Sequence, residues 1–190
     1  MPTLLRLTVL ASTFAVLGLF SVGAAAQKVR VETNLGSFVI QLYPDRAPLT
    51  VENFLSYVEE GHYEGTIFHR VVHNFIAQGG GYTEDFVEKP TPRGVVNESG
   101  NGLSNLRGTV GMARTNDPHS ATSQFYINLN DNLDLNPRPT RWGYAVFGSV
   151  IEGMEVVDQI GDRPTGSGGP FQRDVPVEPI VIQRMELIEE

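Results

Sequence analysis

The sequence has 190 residues, with 22 acidic and 14 basic side chains, a formal net charge of -8 and no cysteine. This length is enough to bury one continuous apolar core, so we expect a single folded domain. The acidic surplus disfavours nucleic acid as a partner, and the lack of cysteine excludes disulfide bonds and thiol chemistry.

Residues 1–26 differ in composition from the rest of the chain. Arg6 precedes an uncharged run that ends at Val22, and a small-residue pattern, Ala-x-Ala, ends at Ala26. This arrangement is typical of a secretory signal peptide, so we predict cleavage near Gln27 and export of the mature chain. The expected location is the periplasm, with the extracellular space as the alternative. An uncleaved membrane anchor is the competing interpretation, but the run is shorter than the roughly 20 apolar residues of a spanning helix.

The mature domain, residues 27–190, is predicted to begin with a β-hairpin and a helix. Apolar and polar residues alternate on both sides of residues 34–36, which is the pattern of two antiparallel strands joined by a turn. Pro48 then stands where a first-turn proline is tolerated, apolar residues follow at helical spacing, and Gly61 supplies a stop. We therefore expect an amphipathic helix of about three turns after the hairpin.

The rest of the chain is predicted to consist mainly of short strands, because β-branched and aromatic runs are separated by Gly, Pro, Asn and Asp. The predicted strands are residues 66–72, 75–78, 109–113, 124–128, 145–150 and 179–187, with a second helix over 152–160. The Gly-rich stretch 165–170 is predicted to be a loop. Two helices among about eight strands predict a mainly β fold, a closed antiparallel β-barrel capped by two α-helices.

Arg70 is the first candidate for chemistry. Period-2 alternation on the strand 66–72 places it on one face with Phe68 and Val72, among apolar neighbours. Taken alone, this pattern favours a rim charge or a structural ion pair over a catalytic group.

Other motifs give weaker support to other kinds of site. Residues 79–81 are three glycines, but no Gly-Lys-Ser/Thr follows them, which disfavours a phosphate loop. Asp117, His119 and Ser120 lie in a polar loop without the strand-to-helix turn of a nucleophilic serine, which disfavours a hydrolase triad. The four histidines lack metal-ligand spacing, so we expect neither a metal nor a cofactor.

Two segments carry a family resemblance. The runs FHRVVHNFIAQGGG (68–81) and GMARTNDPHSATSQFYIN (111–128) resemble the two signature segments of the cyclophilins. Matches in GYAVFG (143–148) and around Asn53 extend the resemblance over nearly all of the mature chain, and it looks closest to the bacterial exported type. The resemblance implies a monomeric peptidyl-prolyl cis/trans isomerase that acts on proline-containing polypeptides during the folding of exported proteins, with no membrane contact after cleavage.

The resemblance also implies which residues form the site. It gives Arg70 the catalytic role of donating a hydrogen bond to the twisting proline amide, and it makes Gln78 its polar companion. The other implied residues line an apolar proline pocket or border the edge along which the substrate backbone lies, and they are Phe75, Ile76, Ala113, Arg114, Gln124, Tyr126, Leu135 and Tyr144. For the apolar members, simple core packing is the alternative.

Two positions depart from the family pattern. Asp134 aligns where many relatives have a pocket Trp and bacterial ones often Phe, and Tyr144 aligns where many relatives have His. We expect Asp134 to weaken the binding of bulky cyclic-peptide inhibitors. Trp142 is the alternative occupant of that place, although its spacing argues for a different one.

Two other classes of function compete with the enzyme. In one, the same groove holds proline peptides as a chaperone without useful turnover, although the presence of both Arg70 and Gln78 favours the enzyme. In the other, the N-terminal segment stays uncleaved and the chain is a membrane-anchored structural protein.

Overall fold

The computed structural model of the chain describes residues 27–92 and 94–188. The predicted signal peptide, residues 1–26, lies outside the described residues. Within the two described ranges, no helix is long and apolar enough to cross a membrane.

The described residues form ten strands, two α-helices and one short 3₁₀ helix. The strands are β1 (Lys28–Thr33), β2 (Gly36–Leu42), β3 (Arg70–Val72), β4 (Ile76–Gly79), β5 (Thr109–Met112), β6 (Phe125–Asn128), β7 (Val146–Glu152), β8 (Thr165–Gly168), β9 (Phe171–Pro176) and β10 (Ile182–Ile188). The helices are α1 (Pro48–Glu59), the 3₁₀ helix (Leu133–Leu135) and α2 (Met154–Gly161). The prediction of a mainly β fold with two helices is therefore confirmed.

Eight strands form one sheet in the order β10-β1-β2-β7-β5-β6-β4-β3, so β3 and β10 are its edges. The prediction of a closed barrel is wrong, because this sheet is a curled half-barrel. The predicted strand 66–72 is regular only over β3, and residues 68 and 69 have no strand geometry. Residues before β3 still approach the start of β10, where Ile67 bridges Val181 and the Phe68 N–H donates to the Ile180 carbonyl at 2.9 Å.

Antiparallel pairing places one residue from each of four neighbouring strands in a single row. Arg70 on β3 is opposite Gln78 on β4, Gln78 is opposite Tyr126 on β6, and Tyr126 is opposite Gly111 on β5. Directly paired residues have side chains on the same face of a sheet. The register thus brings together residues that are far apart in the sequence.

The hydrophobic core is formed by buried side chains of the sheet strands and of both α-helices. On α1 the buried residues are Thr50, Val51, Phe54, Leu55, Tyr57 and Val58, which confirms the predicted amphipathic helix. The Phe54 ring contacts the rings of Tyr63, Phe125 and Phe147 at centroid distances of 5.3, 5.8 and 5.0 Å. This aromatic cluster joins α1 to strands β6 and β7.

The second helix begins two residues later than predicted, at Met154, because β7 continues to Glu152. Gly153 separates the strand from the helix with φ of 75°. This left-handed conformation favours glycine, and a Cβ atom there would lie 2.4 Å from the Ser37 carbonyl oxygen.

The prediction of a loop over residues 165–170 is wrong. Its first four residues form β8, which pairs with β9 in a separate hairpin. The sequence TGSG of β8 has no alternation of apolar and polar side chains. Hydrophobic periodicity therefore could not identify it as a strand. Contacts of Phe171 with the rings of His69 and Tyr82, at 5.4 and 5.1 Å, hold this hairpin against the main sheet.

Candidate active site

A cavity of about 190 Å³ lies over the row of paired residues described above. Its lining residues are Arg70, Phe75, Ile76, Gln78, Ala113, Arg114, Tyr126, Leu135 and Tyr144. The structure therefore brings together every residue that the sequence placed in the site, with the exception of Gln124. Arg70 and Gln78 form the polar end of this cavity, Phe75, Ile76, Tyr126 and Leu135 form its apolar end, and Arg114 lies against Tyr144 at its rim.

Arg70 is held at the polar end by hydrogen bonds between side chains. One guanidinium nitrogen, Nη1, donates to Gln78 Oε1 at 3.3 Å, and Gln78 Nε2 donates to Gln124 Oε1 at 3.0 Å. Gln124 thus lies outside the cavity lining and contacts Gln78, which is part of it. Pairing of β3 with β4 puts Arg70 and Gln78 side by side, which explains why this chain of hydrogen bonds forms.

Among the residues that the structure describes, Arg70 forms no ion pair with a carboxylate. A guanidinium has five N–H donors, and the contact with Gln78 uses one of them. The alternative of a structural ion pair for Arg70 is therefore not what the structure shows. Donors remain available on a half-buried cation that faces an apolar cavity.

The apolar end of the cavity is built by three separate segments. Phe75 ends the turn between β3 and β4, where its N–H donates to the Val72 carbonyl at 3.0 Å, and Ile76 is the first residue of β4. Tyr126 comes from β6, and Leu135 comes from the 3₁₀ helix. Ile76 and Tyr126 are buried in the described chain, whereas Phe75 and Leu135 are half-buried, so the cavity wall is continuous with the core.

Tyr126 is the aromatic floor of the cavity. Its ring meets the ring of Tyr144 edge to face at 6.0 Å. Burial raises the pKa of the Tyr126 phenol well above its ordinary value, so the hydroxyl stays protonated and is a hydrogen-bond donor at neutral pH.

Arg114 forms the rim of the cavity and is occupied by contacts within the chain. Its guanidinium lies over the Tyr144 ring, 4.4 Å from the centroid. It also donates to three backbone carbonyls, those of Gly143, Thr115 and Trp142, at 3.2, 2.8 and 3.0 Å. Arg114 therefore fixes the segment that carries Tyr144.

His69 lies directly behind Arg70 and is buried, with 2% of its surface exposed. Its ring packs between Tyr82 and Phe171, at centroid distances of 4.8 and 5.4 Å. Burial lowers the pKa of His69 to about 4, so the imidazole is neutral at neutral pH. The positive charge beside Gln78 is therefore that of Arg70 and not of this histidine.

Of the two positions that depart from the family pattern, Tyr144 lines the cavity, whereas Asp134 and the alternative occupant Trp142 lie outside its lining. The Asp134 side chain is 94% exposed and forms an ion pair with Arg138. Trp142 is 49% exposed, and its ring meets the His119 ring at 5.3 Å. Trp142 lines a neighbouring surface groove of about 450 Å³ together with residues 137–141.

The loop that holds Asp117, His119 and Ser120 has no catalytic arrangement. Asp117 Oδ1 accepts from the His119 backbone N–H at 2.9 Å, and Ser120 Oγ donates to the Asp117 carbonyl at 2.7 Å. The imidazole Nδ1 of His119 accepts from the Asn97 N–H at 3.1 Å. The first two contacts form turns within the loop, and the third joins the loop to Asn97. Within residues 27–92 and 94–188, no group of three or more His, Asp or Glu side chains could hold a metal ion.

Sequence reasoning missed a network of asparagines beside the cavity. Asn105 and Asn128 are buried, Asn132 and Asn136 are half-buried, and the four contact one another through their side-chain carboxamides. Asn128 gave one available signal, because a polar residue at the end of the apolar strand FYIN needs a hydrogen-bond partner once it is buried.

Comparison with known proteins agrees with this geometry. The family model for cyclophilin type peptidyl-prolyl cis-trans isomerases matches residues 28–187. The chain belongs to the cyclophilin family. The resemblance inferred from the two signature segments is thus confirmed, and the chain is a peptidyl-prolyl cis-trans isomerase.

Bacterial relatives match this cyclophilin over most of their length. It is 53% identical over 163 residues to peptidyl-prolyl cis-trans isomerase cyp18 of Streptomyces antibioticus, covering 84% of this chain and 98% of the relative. It is 48% identical over 164 residues to peptidyl-prolyl cis-trans isomerase B of Escherichia coli K12, covering 85% and 99%. With peptidyl-prolyl cis-trans isomerase A of Dickeya dadantii, the identity is 46% and the coverage 98% and 94%.

A solved structure shows the same fold. The cyclophilin type isomerase of Cryptosporidium parvum superposes with a TM-score of 0.71 at 27% identity, over 87% of this chain and 99% of the other. A second structure of that protein was determined in the presence of the dipeptide Ala-Pro, with a TM-score of 0.70.

Proposed function

We propose that this cyclophilin accelerates rotation about X-Pro bonds in exported polypeptides that are unfolded or partly folded, and that Arg70 donates a hydrogen bond to the proline nitrogen as the bond twists. The observation that carries this proposal is the cavity itself. A guanidinium with unused donors stands beside an apolar wall formed by Phe75, Ile76, Tyr126 and Leu135.

The reaction needs no bond cleavage and no permanent proton transfer. An X-Pro bond crosses a barrier of ~18–20 kcal/mol because rotation destroys the amide resonance. As the bond twists, the proline nitrogen becomes pyramidal and regains a lone pair that the planar amide lacked. A donor aimed at this lone pair is useful only in the transition state, which is the condition for lowering the barrier.

The free energy of one hydrogen bond is too small for Arg70 to account for the whole rate acceleration. A charge-assisted hydrogen bond contributes about 1.5–3 kcal/mol, and each tenfold in rate needs about 1.4 kcal/mol, so Arg70 accounts for one or two decades. The remaining acceleration comes from the apolar wall, which holds the proline ring while the preceding carbonyl turns. Water-poor surroundings also disfavour the more polar planar amide.

Gln78 and Gln124 aim the guanidinium. The Arg70–Gln78–Gln124 chain fixes one edge of the planar group, so the remaining N–H donors keep a defined direction toward the cavity. We propose Ala113 and Arg114 as the border of the groove in which the substrate backbone lies, with Tyr144 as part of the same wall.

Export is supported by the N-terminal sequence pattern, in which an uncharged run ends at Val22 and an Ala-x-Ala motif ends at Ala26. We propose cleavage near Gln27 and action in the periplasm, with full secretion as the alternative. Mass spectrometry of protein recovered outside the cytoplasm tests this, and an intact Met1 on that protein would contradict it.

The decisive experiment measures kcat/KM on a proline peptide for the mature chain and for variants of Arg70. Arg70→Ala is expected to lower kcat/KM by at least about one to two decades with the fold intact. Arg70→Lys should not restore activity, because a flexible ammonium lacks the planar fork that aims the donor. Arg30→Ala is the matched control, since Arg30 lies on β1 and pairs with Glu186 at the surface.

The same assay tests the mechanism through pH. Arginine keeps its charge, and His69, with a pKa of about 4, does not titrate between pH 6 and 8. The profile of kcat/KM should therefore be nearly flat over that range. A bell-shaped profile would indicate acid–base catalysis, and a fully active Arg70→Ala would show that the cavity alone is responsible. A mature chain that binds proline peptides without accelerating their isomerisation would favour the chaperone hypothesis.

A further inference from the structure

We infer that Asn105 is a positioning residue for the proline pocket, because its buried carboxamide fixes the Tyr126 ring and connects the segments that carry the other walls. This inference rests on the proposed use of the cavity for the proline ring. Asn105 precedes β5, it is outside the cavity lining, and its surface is 0% exposed.

The Asn105 side chain uses both ends of its amide. Its Oδ1 accepts from the Tyr126 hydroxyl at 2.6 Å and from Asn128 Nδ2 at 3.2 Å. Its Nδ2 donates to Asn136 Oδ1 at 3.0 Å, and the Asn105 backbone N–H donates to the same oxygen at 2.8 Å. Since donors and acceptors are matched, the orientation of the amide is determined by its partners.

These contacts reach the other walls of the pocket. Asn136 directly follows Leu135, so its bonds with Asn105 hold the end of the 3₁₀ helix. Asn132 donates from Nδ2 both to Asn128 Oδ1 and to the Phe75 carbonyl, each at 2.7 Å. One network thus ties the Tyr126, Leu135 and Phe75 segments together.

The Tyr126 ring is confined on its other side by Gly111. A Cβ atom at Gly111 would lie 2.3 Å from the Tyr126 hydroxyl oxygen, so the phenol rests against the backbone of β5. The hydrogen bond to Asn105 then fixes the outer end of the ring. A buried hydroxyl that loses its acceptor is costly, so removing the amide forces the ring to leave this place or to admit water.

A displaced ring changes the shape of the pocket rather than the position of Arg70. Tyr126 contacts the substrate proline in both the planar and the twisted state, so its loss of position weakens both. A loss of uniform binding raises KM and leaves kcat nearly unchanged. A raised KM with an unchanged kcat therefore distinguishes a positioning role of Asn105 from a role in which it only stabilises the fold.

The test is a double-mutant cycle on the mature chain with a proline peptide as substrate. Asn105→Ala is expected to raise KM at least about threefold with kcat within about twofold. In the Tyr126→Phe background no hydroxyl needs an acceptor, so the same substitution should change KM by a smaller factor, and the change that remains comes from the lost bonds to Asn128 and Asn136. An equal effect of Asn105→Ala in both backgrounds, or an unchanged KM, would overturn the inference.

Asn34→Ala serves as a control for this test, and Asn136→Ala serves as a second variant. Asn34 also bridges two segments with its amide, donating to the Pro179 carbonyl and accepting from the Val181 N–H, both at 3.0 Å, but it lies outside the cavity. Asn34→Ala should leave KM unchanged. If Asn105→Ala does not fold, Asn136→Ala replaces it, because loss of the Asn136 acceptor lets the Asn105 amide rotate away from Tyr126. The same dependence on the Tyr126 hydroxyl is then expected.

A structural measurement separates this inference from the proposed function. In a crystal structure of Asn105→Ala, or of Asn136→Ala, the Tyr126 ring should be displaced from Gly111 or contacted by a new water. A ring in its original place would overturn the inference whatever the activity. A wild-type chain without isomerase activity would instead overturn the proposed function, while the ring position would still decide whether Asn105 positions Tyr126.

Discussion

Glu98 is expected to be one of the main stabilising side chains of this cyclophilin, although it lies far from α1 in the sequence. Helix α1 begins at Pro48 after Ala47, which has no side chain that could cap it. Glu98 supplies the cap: its carboxylate accepts from the Leu49 and Thr50 backbone N–H groups at 3.2 and 2.8 Å and from the Thr50 hydroxyl at 2.6 Å. A negative charge at a helix N-terminus is also favourable to the helix dipole.

The cost of Glu98→Ala follows from these three contacts. Loss of an N-terminal cap costs about 1 kcal/mol. Thr50 is 0% exposed, and a buried hydroxyl left without a partner costs about 1–3 kcal/mol more. We therefore expect a loss of about 2–4 kcal/mol in the free energy of unfolding, or about 4–16 °C in Tm for a chain of this size.

Urea unfolding, followed by fluorescence or circular dichroism, measures this change. Glu98→Gln keeps an oxygen acceptor and should lose about half as much as Glu98→Ala. Adding Thr50→Val to Glu98→Ala removes the orphaned hydroxyl and should recover about 1 kcal/mol. Glu52→Ala, at an exposed position of the same helix, is the control. If Glu98→Ala changed stability by no more than this control, the capping argument would be wrong.

Two further predictions concern pH and inhibition. Burial lowers the pKa of His69 to about 4, below the value near 6.5 of an unfolded histidine, so stability that is complete above about pH 6.5 should fall by at most about 3 kcal/mol as the pH drops toward 4. His69→Phe should remove this part of the pH dependence of urea unfolding, and an identical dependence in both proteins would contradict it. Asp134 should make inhibition by cyclosporin-type cyclic peptides weak, because the ligand must desolvate an exposed carboxylate, whereas Asp134→Trp should strengthen it. Tight inhibition of the wild type, or no gain in the variant, would refute this.

The sequence predicted the parts of the fold that local pattern determines. The β1–β2 hairpin and α1 have clear periodicity, and the two signature segments place Arg70, Gln78 and Tyr126 on strands that pair with one another. Closure of the sheet was predicted wrongly because it depends on whether residues 66–69 stay in a regular ladder. The hydrophobic pattern does not show whether this ladder is regular. Phe68 and His69 are neighbours and are both buried, whereas a half-buried strand would alternate buried and exposed residues.

Tertiary contacts explain the other failures. The β8–β9 hairpin depends on ring contacts between Phe171 and residues that lie about a hundred positions earlier, at 5.4 Å for His69 and 5.1 Å for Tyr82. The asparagine network joins side chains from several segments, and no local spacing marks such a set. Asn105 in particular lies in a loop, where an asparagine is ordinarily explained by turn formation.

The row that runs from Arg70 through Gln78 and Tyr126 to Gly111 makes the alignment of the site an all-or-none property of strand pairing. Side chains alternate between faces at every position, so a slip by one residue between β3 and β4 would turn the guanidinium away from the cavity and bring Val71 toward it. No intermediate register exists in which the donor is only slightly misplaced. Insertions in the turn at residues 73–74 should therefore abolish activity abruptly, whereas insertions in the hairpin connection at Gly169 should be tolerated, because β8 and β9 belong to a separate sheet.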